Sequence, residues 1–196
     1  MEPVKKFRAS FSVLSTWEKG DWQGALSQYF WLPTIETEAM REGKRYHKDW
    51  NGEIIRTKLM PAVFGAAELS KDFKTELKLE VDLADWLEVV CKIDLLDGPT
   101  IHEFKTGVGS SGDGSHSKQG NLYGLLAVKS GFAVKECKIW HYNQYNQKSD
   151  LSIVWLTPAT MERAQNWVET LAGEMREYIN NNLEAIDKVV SAAKRK

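Results

Sequence analysis

The chain has 196 residues, of which 42% are hydrophobic and 27% charged, a composition typical of a soluble globular protein with a buried core. Its formal net charge of −1 argues against a protein that coats nucleic acid through overall charge. The two cysteines, Cys91 and Cys137, have no CxxC partner. This argues against a disulfide scaffold, a zinc ribbon or a four-cysteine iron–sulfur cluster, and favours a reducing compartment.

Local basic groups occur within residues 5–8, 41–48 and 194–196. Each could supply a positive surface, but a solvated helix face or chain terminus explains each equally well. The first ten residues lack the apolar segment of a secretory signal, and no run approaches the roughly 18 apolar residues of a membrane span. We therefore expect a cytoplasmic protein that does not cross a membrane.

The first secondary structure is predicted to be helical. A helix is expected from Phe11 to Trp31, with Ser10 or Ser12 as its N-cap. Gly20 and Gly24 weaken this helix and favour a break within it.

From Phe73 onward the hydrophobic period changes from that of a helix to that of a strand. Strands are predicted at 73–84, 86–96, 100–106, 136–145 and 151–156. Further helices are predicted at 34–56, 118–129 and from Thr157-Pro158 to about 196. The Gly- and Ser-rich segment 107–117 predicts a flexible loop.

This order of elements predicts an α/β fold in which a central mixed β-sheet is flanked by helices. The third strand, the helix after it and the next strand fit a right-handed crossover between parallel strands. We expect a single domain over residues 1–196. Its parts would be an N-terminal helical part at about 10–60, a catalytic core at about 73–156 and the C-terminal helix at about 158–196.

The segment Cys91–Gly107 carries the strongest indication of chemistry. Glu103 and Lys105 are two residues apart on one predicted strand, so both project from the same face of the sheet. Asp94 reaches the same place if the two strands pair across the turn at 97–99. Two carboxylates and an amine together favour a hard cation and phosphodiester cleavage. An exposed ion pair between Glu103 and Lys105 is the alternative.

Four motifs in order carry a resemblance to a known family. They are Gly43-Lys-Arg-Tyr-His47, Ile93-Asp94, Glu103-Phe-Lys-Thr-Gly107 and Gln119-Gly-Asn-Leu-Tyr123. Because each stands on the expected element, the chain resembles a RecB-type nuclease of the PD-(D/E)XK superfamily, in a small standalone form without the iron–sulfur cysteine cluster. The resemblance implies a restriction-endonuclease-like core.

The resemblance also implies a role for each motif residue. Asp94, Glu103 and the main-chain carbonyl of Phe104 would ligate Mg²⁺ or Mn²⁺. His47 would add a ligand that favours Mn²⁺. Lys105 would position and help deprotonate the attacking water and stabilise charge on the phosphate. To act as a base it needs a pKa lowered by metal binding or partial burial; otherwise its role is purely electrostatic.

Gln119 and Tyr123 are four residues apart and share one helix face. The resemblance implies that they contact the lysine, the water or the substrate phosphate, and we count them with the catalytic residues. Taken alone, Gln119 and Tyr123 are better explained as an ordinary helix face, and His47 as a packed or surface histidine. Gly43 favours the ligand role for His47, because a missing side chain lets that helix approach the sheet.

Some residues near the motifs fit the pattern less well. His102 projects from the face opposite Glu103, and His116 lies in the predicted loop, so neither is expected to be a ligand. Cys91 and Lys92 stand where the family usually has glycine, and their side chains would either crowd the metal or face the core.

The chain contains eight tryptophans. Most are expected to build the core. Trp22 and Trp31 are the candidates for a platform on which unpaired bases stack.

We therefore predict a metal-dependent DNA nuclease, an exonuclease acting on single strands or duplex ends in repair, recombination, a phage or a mobile element. The end preference comes from the resemblance alone. The expected partner is DNA with a single-stranded portion. The alternatives are a structure-specific endonuclease and a catalytically silent nucleic-acid-binding member. The silent member would have a broken motif, whereas all the motif residues are intact here.

Overall fold

The computed structural model describes residues 2–34, 36–107 and 115–193. The described residues form six strands: β1 Phe7–Ser10, β2 Lys74–Ala84, β3 Leu87–Asp97, β4 Thr100–Thr106, β5 Glu136–Asn143 and β6 Lys148–Trp155. They also form a short 3₁₀-helix, Ala62–Phe64, and six α-helices: α1 Phe11–Glu18, α2 Trp22–Tyr29, α3 Glu38–Thr57, α4 Ser115–Lys129, α5 Pro158–Asn181 and α6 Leu183–Ala193.

All six strands belong to one mixed sheet in the order β1-β3-β4-β5-β6, with β2 also paired to β3. The β1–β3 and β4–β5 pairs are parallel, whereas β3–β4 and β5–β6 are antiparallel. The parallel pairing of β4 and β5, with α4 between them in sequence, is the crossover expected from the order of elements. The predicted mixed sheet with flanking helices is thus confirmed.

The chain forms two compact units, each built from separate segments. Unit 1 comprises Met1–Ile35, Glu80–Cys91 and Glu162–Lys196, and unit 2 comprises Glu36–Leu79 and Lys92–Met161. The chain passes from one unit to the other within β2, β3 and α5, so the expectation of a single domain stays a prediction. None of the helices in the described residues is long and apolar enough to cross a bilayer.

Unit 1 contains β1, which the sequence analysis missed. Four residues are too few for a hydrophobic period, and β1 is defined by its parallel pairing with β3 from Phe7↔Leu87 onward. The predicted helix over 11–31 is divided into α1 and α2. Gly20 adopts a φ of +80°, and the Asp21 side chain then caps α2 by accepting the N–H of Gly24 at 2.9 Å.

The C-terminal helix predicted at about 158–196 is wrong as a single helix. It breaks at Asn182, whose side-chain amide donates to the Tyr178 carbonyl at 2.8 Å and whose own carbonyl accepts the first bond of α6 from Ile186. Asparagine competes with the backbone in this way, which is why it favours helix ends. The basic residues 194–196 lie outside the described residues, as do 108–114 of the loop predicted at 107–117.

Smaller corrections concern helix starts. The helix predicted from Thr34 begins at Glu38, where Thr37 accepts the N–H of Met40 at 3.2 Å. The helix predicted from Lys118 begins at Ser115, so His116 belongs to the first turn of α4. The predicted N-cap at Ser10 is confirmed, because its hydroxyl accepts the N–H of Val13.

One buried cluster of unit 2 is aromatic and lies between α3 and the sheet. Trp50 packs edge-on against Phe64 with ring centroids 4.9 Å apart, and Phe64 stacks on Phe104 with the same distance between centroids. The rest of the buried cluster consists of Ile54, Met60, Leu95 and Tyr142. This packing fixes α3 over the end of β4.

Gly43 lets α3 come close to β4. A Cβ atom at Gly43 would lie 3.0 Å from the Thr106 hydroxyl oxygen, whereas one at Gly52 on the same helix would meet nothing within 4 Å. The close approach expected from Gly43 is therefore confirmed. It places the next turn of α3, which carries His47, beside the sheet.

Gly52→Ala should stabilise the protein by about 0.5–1 kcal/mol, because alanine is the better helix former and has room there. Gly43→Ala should gain less than this or lose stability, because its methyl group presses on Thr106. Urea unfolding of both variants measures the difference. Adding Thr106→Ala to both variants should remove the difference in unfolding free energy between them. Equal gains in stability from Gly43→Ala and Gly52→Ala would contradict the close approach of α3 to β4.

Candidate active site

The site begins where β3 and β4 separate. Their backbone pairing runs from Asp97↔Thr100 to Leu95↔His102 and then ends. Two residues beyond His102, the amide of Phe104 donates instead to the Asp94 carboxylate at 2.8 Å. Asp94 is only 7% exposed. Its side chain thus satisfies a backbone group that the sheet leaves open, and this bond fixes the carboxylate against β4.

Glu103 is the buried centre of the site, with 5% of its surface exposed. Its Oε1 accepts hydrogen bonds from Lys105 Nζ at 2.6 Å and from Gln119 Nε2 at 2.8 Å. Its Oε2 is buried and has no hydrogen-bond partner among the described residues. The expectation that Glu103 and Lys105 project from one face is confirmed. They form an ion pair that is half-buried rather than exposed, because Glu103 is buried and Lys105 is partly exposed.

Helix α4 carries Gln119 and Tyr123, the two site residues predicted from the fourth motif. Gln119 Nε2 also donates to the Tyr123 hydroxyl at 2.9 Å, and both residues are buried. Two glycines on this helix allow the close packing. A Cβ at Gly120 would lie 3.2 Å from Val154, and one at Gly124 would lie 2.6 Å from Leu156. At these two positions the absence of a side chain lets α4 pack closely on Val154 and Leu156.

His47 approaches from α3. Its Nδ1 lies 3.4 Å from Asp94 Oδ1, and its ring packs beside Trp50 with centroids 5.8 Å apart. The structure thus brings His47 to Asp94, as the resemblance implies. Each of Asp94, Glu103, Lys105, Gln119 and Tyr123 is joined to another of the predicted site residues by a short contact.

The electrostatics of the site favour a bound positive charge. Burial raises the pKa of Glu103, and the nearby charge of Asp94 raises it further, to about 7, against the opposing effect of Lys105. Burial lowers the pKa of His47, but the hydrogen bond and charge of Asp94 outweigh burial, so the pKa lies above its usual value. Near neutral pH the Glu103 carboxyl group therefore holds a proton in a large fraction of molecules, and a cation can replace that proton.

The donor set fits a hard divalent cation. Asp94 lies close enough to Glu103 for its charge to raise the pKa of Glu103. One Glu103 oxygen has no partner in the described part of the chain, and the His47 imidazole adjoins Asp94. Within the described part of the chain, no group of three His, Cys, Asp or Glu side chains is close enough together to hold a metal ion without rearrangement. Water and a main-chain carbonyl would have to complete the shell. The Phe104 carbonyl as a ligand stays a prediction.

Cys91 and Lys92 lie on β3 shortly before Asp94. Cys91 is buried at 7% exposure, which fits the prediction that it faces the core. Lys92 lies on the same side of β3 as Asp94, two residues away, and pairs with Glu76 on β2. This pairing holds the ammonium group on the neighbouring strand.

The remaining histidines are explained by the strand register. His102 is buried against Trp140, whose indole N–H donates to His102 Nδ1 at 3.0 Å, and burial and then Lys138 lower the pKa of His102 to about 4. His141 is the β5 partner of Lys105, and its Nε2 lies 2.8 Å from His116 Nδ1. Sequence reasoning missed this second pair beside the site. The β4–β5 register would have indicated it, because this register places His141 beside Lys105.

Comparison with known proteins shows which solved structures share this fold. No protein-family model matches the chain, and no curated protein matches it. Solved structures do match. The alkaline exonuclease LHK-Exo from Laribacter hongkongensis has 11% sequence identity and a TM-score of 0.58, over 94% of this chain and 96% of that one. This chain has the fold of that exonuclease.

Two further structures support the same conclusion. LHK-Exo in complex with dAMP has 13% identity and a TM-score of 0.59, over 95% of each chain. The crystal structure of SSO0001 has 11% identity and a TM-score of 0.56, over 85% of this chain and 75% of that one. At these identities the likeness is one of fold, so the chemistry has to be argued from the site itself.

The raised pKa of Glu103 predicts a stability change with pH. In EDTA, the folded protein binds more protons than the unfolded chain between the ordinary carboxyl pKa and about 7, so Glu103 costs stability as pH rises through this window. Glu103→Gln removes the cost. Thermal melts should therefore show the Tm of the variant rising relative to wild type between pH 5 and pH 8.

The exposed Glu68 supplies the control, because Glu68→Gln should show no such trend. If the Tm difference between Glu103→Gln and wild type stays constant or falls as the pH rises, Glu103 is not a buried acid that costs stability when ionised.

Proposed function

We propose that this protein is a Mg²⁺- or Mn²⁺-dependent deoxyribonuclease that hydrolyses phosphodiester bonds. The observation that carries the proposal is the buried Glu103 carboxylate, which lies beside Asp94 and accepts hydrogen bonds from both Lys105 and Gln119. A structural ion pair needs one acid and one base. A second buried acid next to the first is costly unless a cation offsets their repulsion.

The site residues divide into ligands and positioning groups. Asp94, Glu103 and the Phe104 carbonyl would hold the ion, and His47 would add a nitrogen ligand that favours Mn²⁺. When bound, the ion lowers the pKa of a water molecule and stabilises negative charge on the phosphate. Burial of Asp94 and Glu103 keeps bulk water from weakening these interactions.

Lys105 is the group best placed to act on the attacking water. Its Nζ is held at 2.6 Å from Glu103 Oε1, so its ammonium lies at the edge of the proposed metal site, where it can orient a water and offset charge on the phosphate. Gln119 holds the same oxygen from the other side and links it to Tyr123. These two bonds keep Glu103 in one rotamer, as a ligand requires.

For the finer function we propose a RecB-type exonuclease acting on single strands or duplex ends, in repair, recombination or a mobile element. The support is the fold shared with an alkaline exonuclease, of which one structure contains dAMP, a product of the kind that stepwise DNA degradation releases. An endonuclease on the same core would release internal fragments instead. Digestion of end-labelled DNA separates the two.

Asp94→Ala and Glu103→Gln should each abolish degradation of DNA in Mg²⁺ or Mn²⁺, because each removes a carboxylate ligand. The assay uses single strands labelled at the 5′ or the 3′ end, with EDTA as the metal-free control. An exonuclease gives mononucleotides from one labelled end first. Circular dichroism should show that both variants are folded.

Asp85→Asn is the matched control, because Asp85 is exposed in the β2–β3 turn and should not affect the rate. Cleavage by both site variants at the wild-type rate, or cleavage unchanged by EDTA, would exclude the proposed reaction.

Lys105→Ala should lower kcat by about 10²–10³-fold, the usual loss on removing one group that stabilises transition-state charge. Titration calorimetry at pH 8 should still detect Mn²⁺ binding, because both carboxylates remain. Lys138→Ala provides the comparison, since Lys138 pairs with Glu136 on β5 and should leave kcat unchanged. Loss of Mn²⁺ binding without Lys105 would instead make the lysine part of the binding site.

A further inference from the structure

The end of α2 in unit 1 has an unusual backbone. The N–H of Leu32 donates to the Ser27 carbonyl at 2.9 Å, and that of Trp31 donates to the Gln28 carbonyl at 3.3 Å. These two bonds define a Schellman motif, in which the position of Trp31 normally holds glycine because its φ is positive. Trp31 has a φ of +54°. A bulky aromatic residue in this conformation is strained.

The strain does not serve to bury the side chain. Trp31 is 86% exposed, the largest exposure among the large hydrophobic residues that the structure describes. Trp22 is the other tryptophan predicted as a stacking platform. Its ring centroid lies 5.8 Å from that of Trp17, on which it stacks, and 6.0 Å from that of Tyr178. The two tryptophans therefore differ: Trp22 belongs to an aromatic cluster of unit 1, whereas the indole of Trp31 faces solvent.

A cavity of about 470 Å³ adjoins Trp31 within unit 1. This volume is in the range of small-ligand sites. Its polar lining includes the hydroxyls of Ser10 and Ser12, which lie 3.1 Å apart, and Gln28, whose Oε1 has no hydrogen-bond partner among the described residues. Much of the remaining wall is apolar, from Ala9, Val13, Leu32 and Val90.

The charge of the cavity argues against a phosphate as its ligand. Arg8 supplies the charge among the lining residues, and its guanidinium already binds Glu80 at 2.6 Å and Glu88 at 2.9 Å. With that cation neutralised, the cavity suits a flat, uncharged ring with polar edges. A nucleobase has this chemistry, and it also stacks on an exposed indole.

We propose that Trp31 and the adjoining cavity bind one unpaired base of a DNA strand, with the base stacked on the indole. The choice of DNA as the ligand rests on the proposed nuclease function. The strained, exposed tryptophan is thereby explained, because the position that best suits glycine for stability holds the largest stacking surface instead.

Trp31→Gly tests the proposal directly, because glycine is the preferred residue at this backbone position and the variant should be at least as stable as wild type. Binding is measured in EDTA, so that cleavage plays no part, by fluorescence anisotropy of a dye-labelled dT octamer and of an abasic octamer. We expect Trp31→Gly to weaken dT binding by roughly 10-fold or more, the effect of losing one stacked base.

Two further variants separate stacking from a general effect. Trp31→Phe keeps an aromatic ring and should restore most of the dT affinity. Trp155→Ala removes another exposed tryptophan, 65% exposed on β6, and should leave affinity unchanged. Binding of the abasic octamer should be the same for wild type and Trp31→Gly.

The proposal is overturned if Trp31→Gly binds the dT octamer as wild type does, or if both octamers lose affinity equally. Its failure is distinct from failure of the proposed function. In the first case DNA degradation would still require Asp94 and divalent metal. If instead the wild-type protein degrades no DNA yet shows base-dependent binding through Trp31, the nuclease assignment fails and the stacking site remains.

Discussion

The site depends on the burial of one ionisable group, the carboxylate of Glu103, next to a second acid. Burial and the charge of Asp94 both oppose its ionisation, while the charge and hydrogen bond of Lys105 favour it. The balance leaves the pKa near neutrality rather than near that of a free carboxyl group. Much of the nearby structure, from the separation of β3 and β4 to the glycines of α4, serves to create or support this environment.

The supports come from different levels of structure. The strand alternation places Glu103 and Lys105 on one face, the end of the β3–β4 pairing leaves an amide for Asp94, and the helix glycines bring Gln119 within reach. Each support is ordinary in isolation. Together they hold groups that would repel or be solvated in a less constrained setting, which is the form that preorganised sites take.

The sequence was sufficient wherever short-range rules decide the geometry. The two-residue period placed Glu103 with Lys105, and the Asp97-Gly98-Pro99 turn implied that Asp94 would approach them. The resemblance, rather than the spacing, supplied His47, Gln119 and Tyr123. The sequence was not sufficient where long-range pairing decides. The strand β1 exists through its pairing with β3. The β4–β5 register places His141 beside Lys105, and the position of α4 brings His116 to His141.

Helix ends were the other weak point, for a local reason. Asn182 ends α5 through side-chain competition that a hydrophobic period does not reveal. At the end of α2, the residue expected at a left-handed position is glycine, and the sequence has Trp31 there. Departures of this kind concentrate where a property other than stability has been selected.

The alternation of side chains along β4 limits how this strand can change in length. Inserting or deleting one residue between Thr100 and Glu103 would turn Glu103 and Lys105 toward the aromatic cluster of Trp50 and Phe64, and would turn Phe104 toward α4. Neither side could accept the exchanged groups. One-residue insertions and deletions are therefore expected to be excluded from this part of β4.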